Sequence, residues 1–142
     1  MKVREIMSSP VETIDLDDSI AAAAQKMKSF DVGVLPVMKY NRVIGMITDR
    51  DIVLRIVAEN EDPQQTSVSC VMTIDTVCCS DETDIEDAIR LMELKKIHRL
   101  LVLDKSKEVC GILSVGDLAC KMKNEHMLSE VLERICEPVS SR

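Results

Sequence analysis

An internal duplication constrains the fold of this 142-residue chain more than any other feature of its sequence. When the sequence is shifted by 65 positions, residues of the first half fall opposite identical residues of the second half. The identical pairs are Val3 and Val68, Met7 and Met72, Ile20 and Ile85, Ala23 and Ala88, Met27 and Met92, Leu35 and Leu100, and Val37 and Val102. After one inserted residue the offset becomes 66, which pairs Asp51 with Asp117. Since most matched positions are apolar, one core-forming unit occurs twice.

Each copy predicts the same order of elements. In the first copy an alternating strand at 11–15 precedes a helix that ends near Ser29. The helix has one apolar face, which we expect to be buried, at i, i+3, i+4 and i+7: Ile20, Ala23, Ala24 and Met27. Two strands joined by a hairpin turn follow, and a last helix spans Asp49 to about Glu59. The last helix of the second copy spans Val115 to about Lys123. We therefore expect an α/β fold built from two tandem β-α-β-β-α repeats.

The chain divides into four segments on this pattern. Repeat 1 covers 1–60, a polar linker with one proline covers 61–67, repeat 2 covers 68–123, and a tail covers 124–142. The tail carries apolar residues at helical spacing, namely Met127, Leu128, Val131, Leu132 and Ile135. These predict a C-terminal helix that either packs on its own domain or a twin subunit, or recruits a separate partner.

Composition excludes several classes of function. The net charge is −7 and only Phe30 and Tyr40 are aromatic, so neither a phosphate-backbone footprint nor a stacking platform for nucleic acid is expected. No apolar run approaches the roughly 20 residues that span a membrane. The N-terminus lacks the apolar region of a signal peptide, so we expect a cytoplasmic protein. The six cysteines all lie within residues 70–136 and form no C-x-x-C pair, which favours buried apolar thiols over a thiol switch or a metal site.

The same short motif follows the third strand of each copy. It reads Thr48-Asp49-Arg50-Asp51 in repeat 1 and Ser114-Val115-Gly116-Asp117 in repeat 2. A hydroxyl residue followed three positions later by an acid is a capping box, which stabilises a helix start without any ligand. Its recurrence also fits a nucleotide site, because a hydroxyl and backbone amides can contact phosphate while a carboxylate accepts ribose hydroxyls.

The duplicated unit resembles the CBS domain family. The resemblance is carried by V-G-V-L-P-V before G-M-I-T-D-R-D-I in repeat 1 and by H-R-L-L-V before G-I-L-S-V-G-D-L in repeat 2, and it covers about residues 1–123. It implies a tandem pair with pseudo-two-fold packing, often called a Bateman module, that usually forms disc-shaped homodimers. It further implies a regulatory ligand, AMP, ADP, ATP or S-adenosylmethionine, bound in the clefts between the two repeats.

The resemblance also implies roles for individual residues. Asp51 and Asp117 would hold ribose hydroxyls, and Thr48 and Ser114 would contact phosphate. The base pocket would be lined by strand residues near Thr13 and Cys78 and by the backbone around Leu35 and Leu100.

The two copies differ in the cations that could meet a phosphate. Repeat 2 has His98 and Arg99 where repeat 1 has Gly33 and Val34, and repeat 1 instead offers Arg50. Each of the three cationic side chains also has an ordinary structural explanation, as a strand-edge histidine or a solvated charge. The difference nevertheless predicts two inequivalent sites.

The sequence therefore favours a non-catalytic sensor, as in energy sensing, that signals to a protein partner in trans, with no metal and no further cofactor. A dimeric structural or thiol-responsive interaction module with empty sites is the alternative. An enzyme in which His98 activates Cys78 or Cys79 is disfavoured, because the chain has two histidines and no glycine-rich nucleophile turn.

Overall fold

A computed structural model describes residues 1–74, 76–122 and 125–136 of the chain. The chain divides into two compact units, which differ from the sequence repeats in one respect. The repeat-1 unit is Glu12–Thr76, and the repeat-2 unit combines Met1–Val11 with Val77–Arg142. Residues 1–11, which we call the lead segment of repeat 1, therefore belong to the repeat-2 unit. Residues 68–76, which we call the lead segment of repeat 2, belong to the repeat-1 unit. The predicted boundaries at 60, 67 and 123 describe the sequence repeat, whereas the compact units describe packing. The predicted boundaries therefore stay a prediction.

The repeat-1 unit contains a three-stranded sheet in the order β1-β2-β3. Strand β1 runs parallel to β2, and β2 pairs antiparallel with β3. Its elements are β1 (Ile14–Asp15), α1 (Ile20–Phe30), β2 (Val34–Lys39), β3 (Arg42–Thr48) and α2 (Asp49–Ile52). The first strand is shorter than the predicted 11–15, because only two of its residues pair with β2. Helix α2 is shorter than predicted and continues as a π-helical turn over Val53–Val57.

Local chemistry explains why these elements begin and end where they do. The Ser19 side chain accepts a hydrogen bond of 3.1 Å from the Ala22 amide and so caps α1. The helix ends at Asp31, whose φ of 52° is left-handed. The β2–β3 turn places Tyr40 and Asn41 at positive φ, as a tight hairpin turn requires. Ala24, expected on the buried face of α1, is exposed, whereas its counterpart Ile89 is buried.

The repeat-2 unit has the same arrangement, with sheet order β4-β5-β6. Its elements are β4 (Cys78–Ser80), α3 (Ile85–Lys95), β5 (Arg99–Leu103), β6 (Val109–Ser114), α4 (Val115–Lys121) and α5 (Glu125–Ile135). The lead segment supplies Val3 and Ile6 to the core of this unit. Each unit therefore closes its core with the segment that precedes the other repeat in sequence.

Helix α5 packs on its own unit. Val131 and Ile135 are buried in the repeat-2 core. The Arg134 guanidinium lies 3.6 Å from a Glu93 carboxylate oxygen, and Lys96 Nζ donates a hydrogen bond of 3.2 Å to the Arg134 carbonyl. The tail helix is expected either to pack on its own domain or a twin subunit, or to recruit a partner. The described part of the helix packs on its own domain. The predicted contribution of the Met127 side chain lies outside the described atoms. Among the residues that the structure describes, no helix is both long and apolar enough to cross a lipid bilayer.

Candidate functional site

The repeated motif forms a capping box at the start of α2. Thr48 Oγ1 accepts a hydrogen bond of 3.1 Å from the Asp51 amide, and Asp51 Oδ2 accepts one of 3.0 Å from the Thr48 amide. Asp51 is partly exposed, and its Oδ1 accepts no hydrogen bond from any residue within 1–74, 76–122 and 125–136. The motif therefore stabilises the start of α2 and still leaves Asp51 Oδ1 open to a ligand.

The same box forms at the start of α4, but its carboxylate is occupied. Asp117 Oδ2 accepts from the Ser114 amide at 2.9 Å and from the Ser114 hydroxyl at 3.0 Å. Asp117 Oδ1 accepts from the Ser8 hydroxyl at 2.7 Å, and Lys121 Nζ lies 3.5 Å from the same oxygen. Asp117 is only 8% exposed. The two motifs are thus equivalent in sequence but differ in how many donors each carboxylate already has.

A cation on the last helix of each repeat holds a lead segment in place. Lys121 Nζ donates to the Ile6 carbonyl at 2.8 Å, and Arg55 Nη1 donates to the Val71 carbonyl at 2.5 Å. Sequence analysis missed these residues and Ser8. The repeat offsets could have found them, because they pair Arg55 with Lys121 and Ser8 with Thr73.

The residues expected around a base lie on the strands beside each motif. Leu35 is one position from Val34, which pairs with Thr48, and Leu100 is one position from Arg99, which pairs with Ser114. Both leucine side chains are fully buried in the cores. Their backbone atoms are buried as well, because each whole residue is 0% exposed.

The two remaining base-pocket candidates lie on the parallel edge strand of each sheet. Thr13 is partly buried and immediately precedes β1, and its carbonyl accepts a hydrogen bond from Lys26 Nζ. Cys78 begins β4, where it pairs in register with Leu101, and it is also partly buried.

The cationic candidates lie on or next to the motifs, and the fold does not use their side chains for internal contacts among the described residues. His98 is exposed, and its carbonyl accepts a hydrogen bond of 3.1 Å from the Val115 amide at the start of α4. Arg99 is partly buried and Arg50 is exposed. Within the described ranges, none of these three side chains makes a hydrogen bond or an ion pair. All three remain available to an anion.

The residues beside the two motifs differ in acidity. In repeat 1 the Asp49 carboxylate lies so close to Gly33 that a Cβ there would sit 2.9 Å from Asp49 Oδ2. In repeat 2 the corresponding residues are Val115 and His98. Repeat 1 therefore presents an extra acid where repeat 2 presents an imidazole.

Cys79 and Cys110 do not have the properties of an activated nucleophile. Burial raises the pKa of the Cys79 thiol to about 11, and burial also raises the pKa of Cys110. A catalytic cysteine needs the opposite shift, towards the thiolate. Cys78 and Cys79 line a cleft of about 260 Å³ together with Lys105 and Lys107. No group of three or more His, Cys, Asp or Glu side chains gathers as a metal site within the part of the chain that the structure describes.

Two β-α-β-β-α units, each with a hydroxyl-x-x-Asp cap after its third strand, define the class of protein. The chain belongs to the CBS domain family, whose model matches residues 3–58 and 68–124. The expected tandem CBS architecture with a C-terminal helix is thereby confirmed.

Individual relatives are similar over most of this chain. The CBS domain-containing protein YhcV of Bacillus subtilis (strain 168) is 40% identical over 124 residues, which cover 87% of each chain. The crystal structure of Hypoxic Response Protein I with two coordinated zinc ions has a TM-score of 0.74 and 28% identity, covering 86% of this chain and 99% of that one. The CBS domain pair of protein MJ0100, in complex with 5-methylthioadenosine and S-adenosyl-L-methionine, has a TM-score of 0.73 and 23% identity, covering 84% and 94%.

Proposed function

We propose that this chain is a non-catalytic regulatory module that binds an adenosine-containing ligand: AMP, ADP, ATP or S-adenosylmethionine. The observation that carries the proposal is the open Asp51 carboxylate oxygen beside the capped start of α2. Tandem CBS domains typically bind adenosine ligands, and the structure of the MJ0100 pair contains two such compounds. Family membership and a carboxylate with free acceptor positions support the same ligand class.

The ribose is the part of the ligand that the motif fits best. An ionised carboxylate accepts hydrogen bonds and cannot donate them, so it suits the two hydroxyls of a ribose and repels a phosphate. We assign the ribose hydroxyls to Asp51 in repeat 1 and to Asp117 in repeat 2. The hydroxyls of Thr48 and Ser114 would then contact the first phosphate.

The base would lie along the strands beside the motif. We place an adenine edge against the backbone amides and carbonyls around Leu35 and Leu100, and not against their side chains, which are buried in the cores. Thr13 and Cys78 would border the base from the parallel edge strand of each unit.

The second repeat is the better candidate for a phosphate chain. His98 and Arg99 carry no internal partner within the described residues, and both are near the start of α4. The corresponding cation in repeat 1 is Arg50, which shares its turn with Asp49 and Asp51. Coulomb attraction therefore favours phosphates at repeat 2 and uncharged or cationic adenosyl compounds at repeat 1.

The proposed module acts on a partner protein in trans, as a homodimer in the cytoplasm. Val53, Leu54 and Val57 are between 48% and 65% exposed along one short helical stretch, which supports an apolar contact with a second copy. Equilibrium sedimentation tests the dimer, and a species of 15.9 kDa alone at micromolar concentration would contradict it.

A second candidate function is a thiol-responsive interaction module whose sites bind no nucleotide. The observation in its favour is that Cys70, Cys120 and Cys136 are exposed. This candidate predicts partner binding that changes with oxidation and no heat on titration with any adenosyl compound.

The deciding experiment is isothermal titration of the full chain with AMP, ADP, ATP and S-adenosylmethionine. Asp51→Ala and Asp117→Ala each remove one proposed ribose acceptor, and Glu59→Ala removes an exposed carboxylate elsewhere in repeat 1 as the matched control. We expect binding by the parent chain, loss of one site in each aspartate variant, and no change in the control. Absence of heat with all four compounds would overturn the proposal.

A further inference from the structure

Asp117 and Asp51 differ in how many of their acceptor positions the fold already uses. An ionised carboxylate has about four lone-pair positions. Asp117 meets four donors, which are the Ser114 amide, the Ser114 hydroxyl, the Ser8 hydroxyl and the Lys121 ammonium. Asp51 accepts from the Thr48 amide alone among the described residues. One carboxylate is saturated and the other is largely open.

Ser8 is the hydroxyl donor from outside the motif that distinguishes the two carboxylates. The Ser114 amide has a counterpart in the Thr48 amide, and Lys121 has a counterpart in Arg55, which bonds to the Val71 carbonyl and not to Asp51. The Ser114 hydroxyl also donates to Asp117, but it lies within the motif and uses Oδ2, the oxygen that the Ser114 amide already occupies. The residue equivalent to Ser8 is Thr73, whose side chain is exposed and makes no hydrogen bond with any described residue. Among the described residues, a hydroxyl from outside the motif therefore reaches the motif carboxylate in repeat 2 only.

The backbone holds Ser8 in this position. The Ser8 amide donates to the Ile112 carbonyl at 2.9 Å, and the Ile112 amide donates to the Ser8 carbonyl at 3.0 Å. Lys121 adds a bond of 2.8 Å to the Ile6 carbonyl. Because these backbone hydrogen bonds hold Ser8 in place, its hydroxyl competes with any ligand hydroxyl for Asp117 Oδ1.

We propose that Ser8 sets the affinity of the repeat-2 site by occupying the carboxylate oxygen that a ribose hydroxyl needs. This inference rests on the proposed function, since it assigns Asp117 as a ribose acceptor. A ribose that binds at Asp117 must first displace the Ser8 hydroxyl, whereas a ribose that binds at Asp51 displaces no side chain. For adenosine, which carries no phosphate, the repeat-1 site therefore fills first, and Ser8 is a specificity-determining residue of the repeat-2 site.

The test isolates one site at a time in the full chain. Asp51→Ala leaves the repeat-2 site, and Ser8→Ala is then added to it; adenosine and AMP are titrated into both proteins. Adenosine carries no phosphate, so His98 and Arg99 do not affect the comparison through charge. We expect Ser8→Ala to tighten binding at the repeat-2 site by roughly tenfold, the size of one hydrogen bond to a carboxylate.

Three controls separate this role from a merely structural one. Ser8→Thr keeps the hydroxyl and should keep the weak binding. Thr73→Ala, added to Asp117→Ala, changes the equivalent residue of repeat 1 and should leave the affinity unchanged. Dideoxyadenosine, which lacks both ribose hydroxyls, should gain nothing from Ser8→Ala. A loosened lead segment would instead weaken the binding of every compound.

The outcomes distinguish failure of this inference from failure of the proposed function. If the parent chain binds at both sites and Ser8→Ala leaves the repeat-2 affinity unchanged or weaker, only the role of Ser8 is overturned. If neither adenosine nor AMP binds to the parent chain or to any variant, the ribose assignment falls and the role of Ser8 falls with it.

Discussion

The Arg55 guanidinium donates a hydrogen bond of 2.5 Å to the Val71 carbonyl, and this contact fixes a lead segment against the last helix of repeat 1. Its counterpart in repeat 2 joins Lys121 to the Ile6 carbonyl at 2.8 Å. A charged donor on a backbone carbonyl stabilises more than a neutral one, because the charge strengthens the bond. Both units thus use a cation one turn after the motif aspartate to hold a segment that precedes the other repeat in sequence.

Replacing Arg55 by methionine should destabilise the repeat-1 unit. The methionine side chain keeps much of the packing of the arginine stem but leaves the Val71 carbonyl without its charged donor. We expect a loss of about 1–2 kcal/mol in the free energy of unfolding, measured with urea. Arg55→Lys retains a charged donor and should recover most of the loss. Equal stability of the methionine variant and the parent chain would show that the contact contributes nothing.

Two glycines of the chain should respond to alanine with opposite signs. A Cβ at Gly45 would lie 2.7 Å from the Thr73 carbonyl oxygen, a backbone atom held by two hydrogen bonds between Met46 and Thr73. Gly45→Ala should therefore cost about 1–3 kcal/mol of stability through overpacking.

The matched substitution is Gly116→Ala in the first turn of α4. A Cβ at Gly116 would meet only Ser114 Oγ at 3.5 Å, which is ordinary contact, and alanine lowers the backbone entropy of the unfolded chain. We expect a gain of about 0.4–1 kcal/mol. Thermal melts of both variants give the comparison, and equal shifts of the same sign would refute it.

The repeat and its spacing were sufficient to predict most of the fold. Apolar periodicity placed α1 and α3, and the pattern around Thr48 and Ser114 predicted both capping boxes that the structure contains. These features are local, so a few neighbouring residues determine them.

The features that the sequence did not predict depend on long-range or irregular contacts. The Ser8 hydroxyl reaches Asp117 across a separation of 109 positions, and no local pattern indicates which core a lead segment enters. The π-helical turn was also missed, because its bond from the Ala58 amide to the Val53 carbonyl leaves the apolar pattern helical. The candidate site was therefore predictable in its motif residues but not in the donors that occupy them.

The exposed and buried thiols should react at different rates. Cys70 and Cys120 are exposed, whereas burial raises the pKa values of Cys79 and Cys110 and so lowers the fraction of reactive thiolate. Alkylation of the native chain with iodoacetamide at pH 8, followed by peptide mass spectrometry, should modify the exposed pair first. After denaturation all four should react at similar rates. Equally fast modification of Cys79 in the native chain would contradict the burial that raises its pKa.

The raised pKa of Cys79 also predicts how stability changes in alkaline solution. The ordinary value of 9.0 applies to the unfolded chain, whereas burial raises the pKa of the folded thiol to about 11. Below pH 9 both states hold the proton, so the thiol adds no pH dependence. Between pH 9 and 11 the unfolded state ionises first, so the free energy of unfolding should fall as pH rises. Urea denaturation at several pH values measures this slope. Cys79→Ala removes one titrating group and should make the slope shallower, with Cys110 contributing the part that remains. Cys120→Ala changes an exposed thiol and should leave the slope unchanged. An unaltered slope in the Cys79 variant would assign the alkaline loss to other groups.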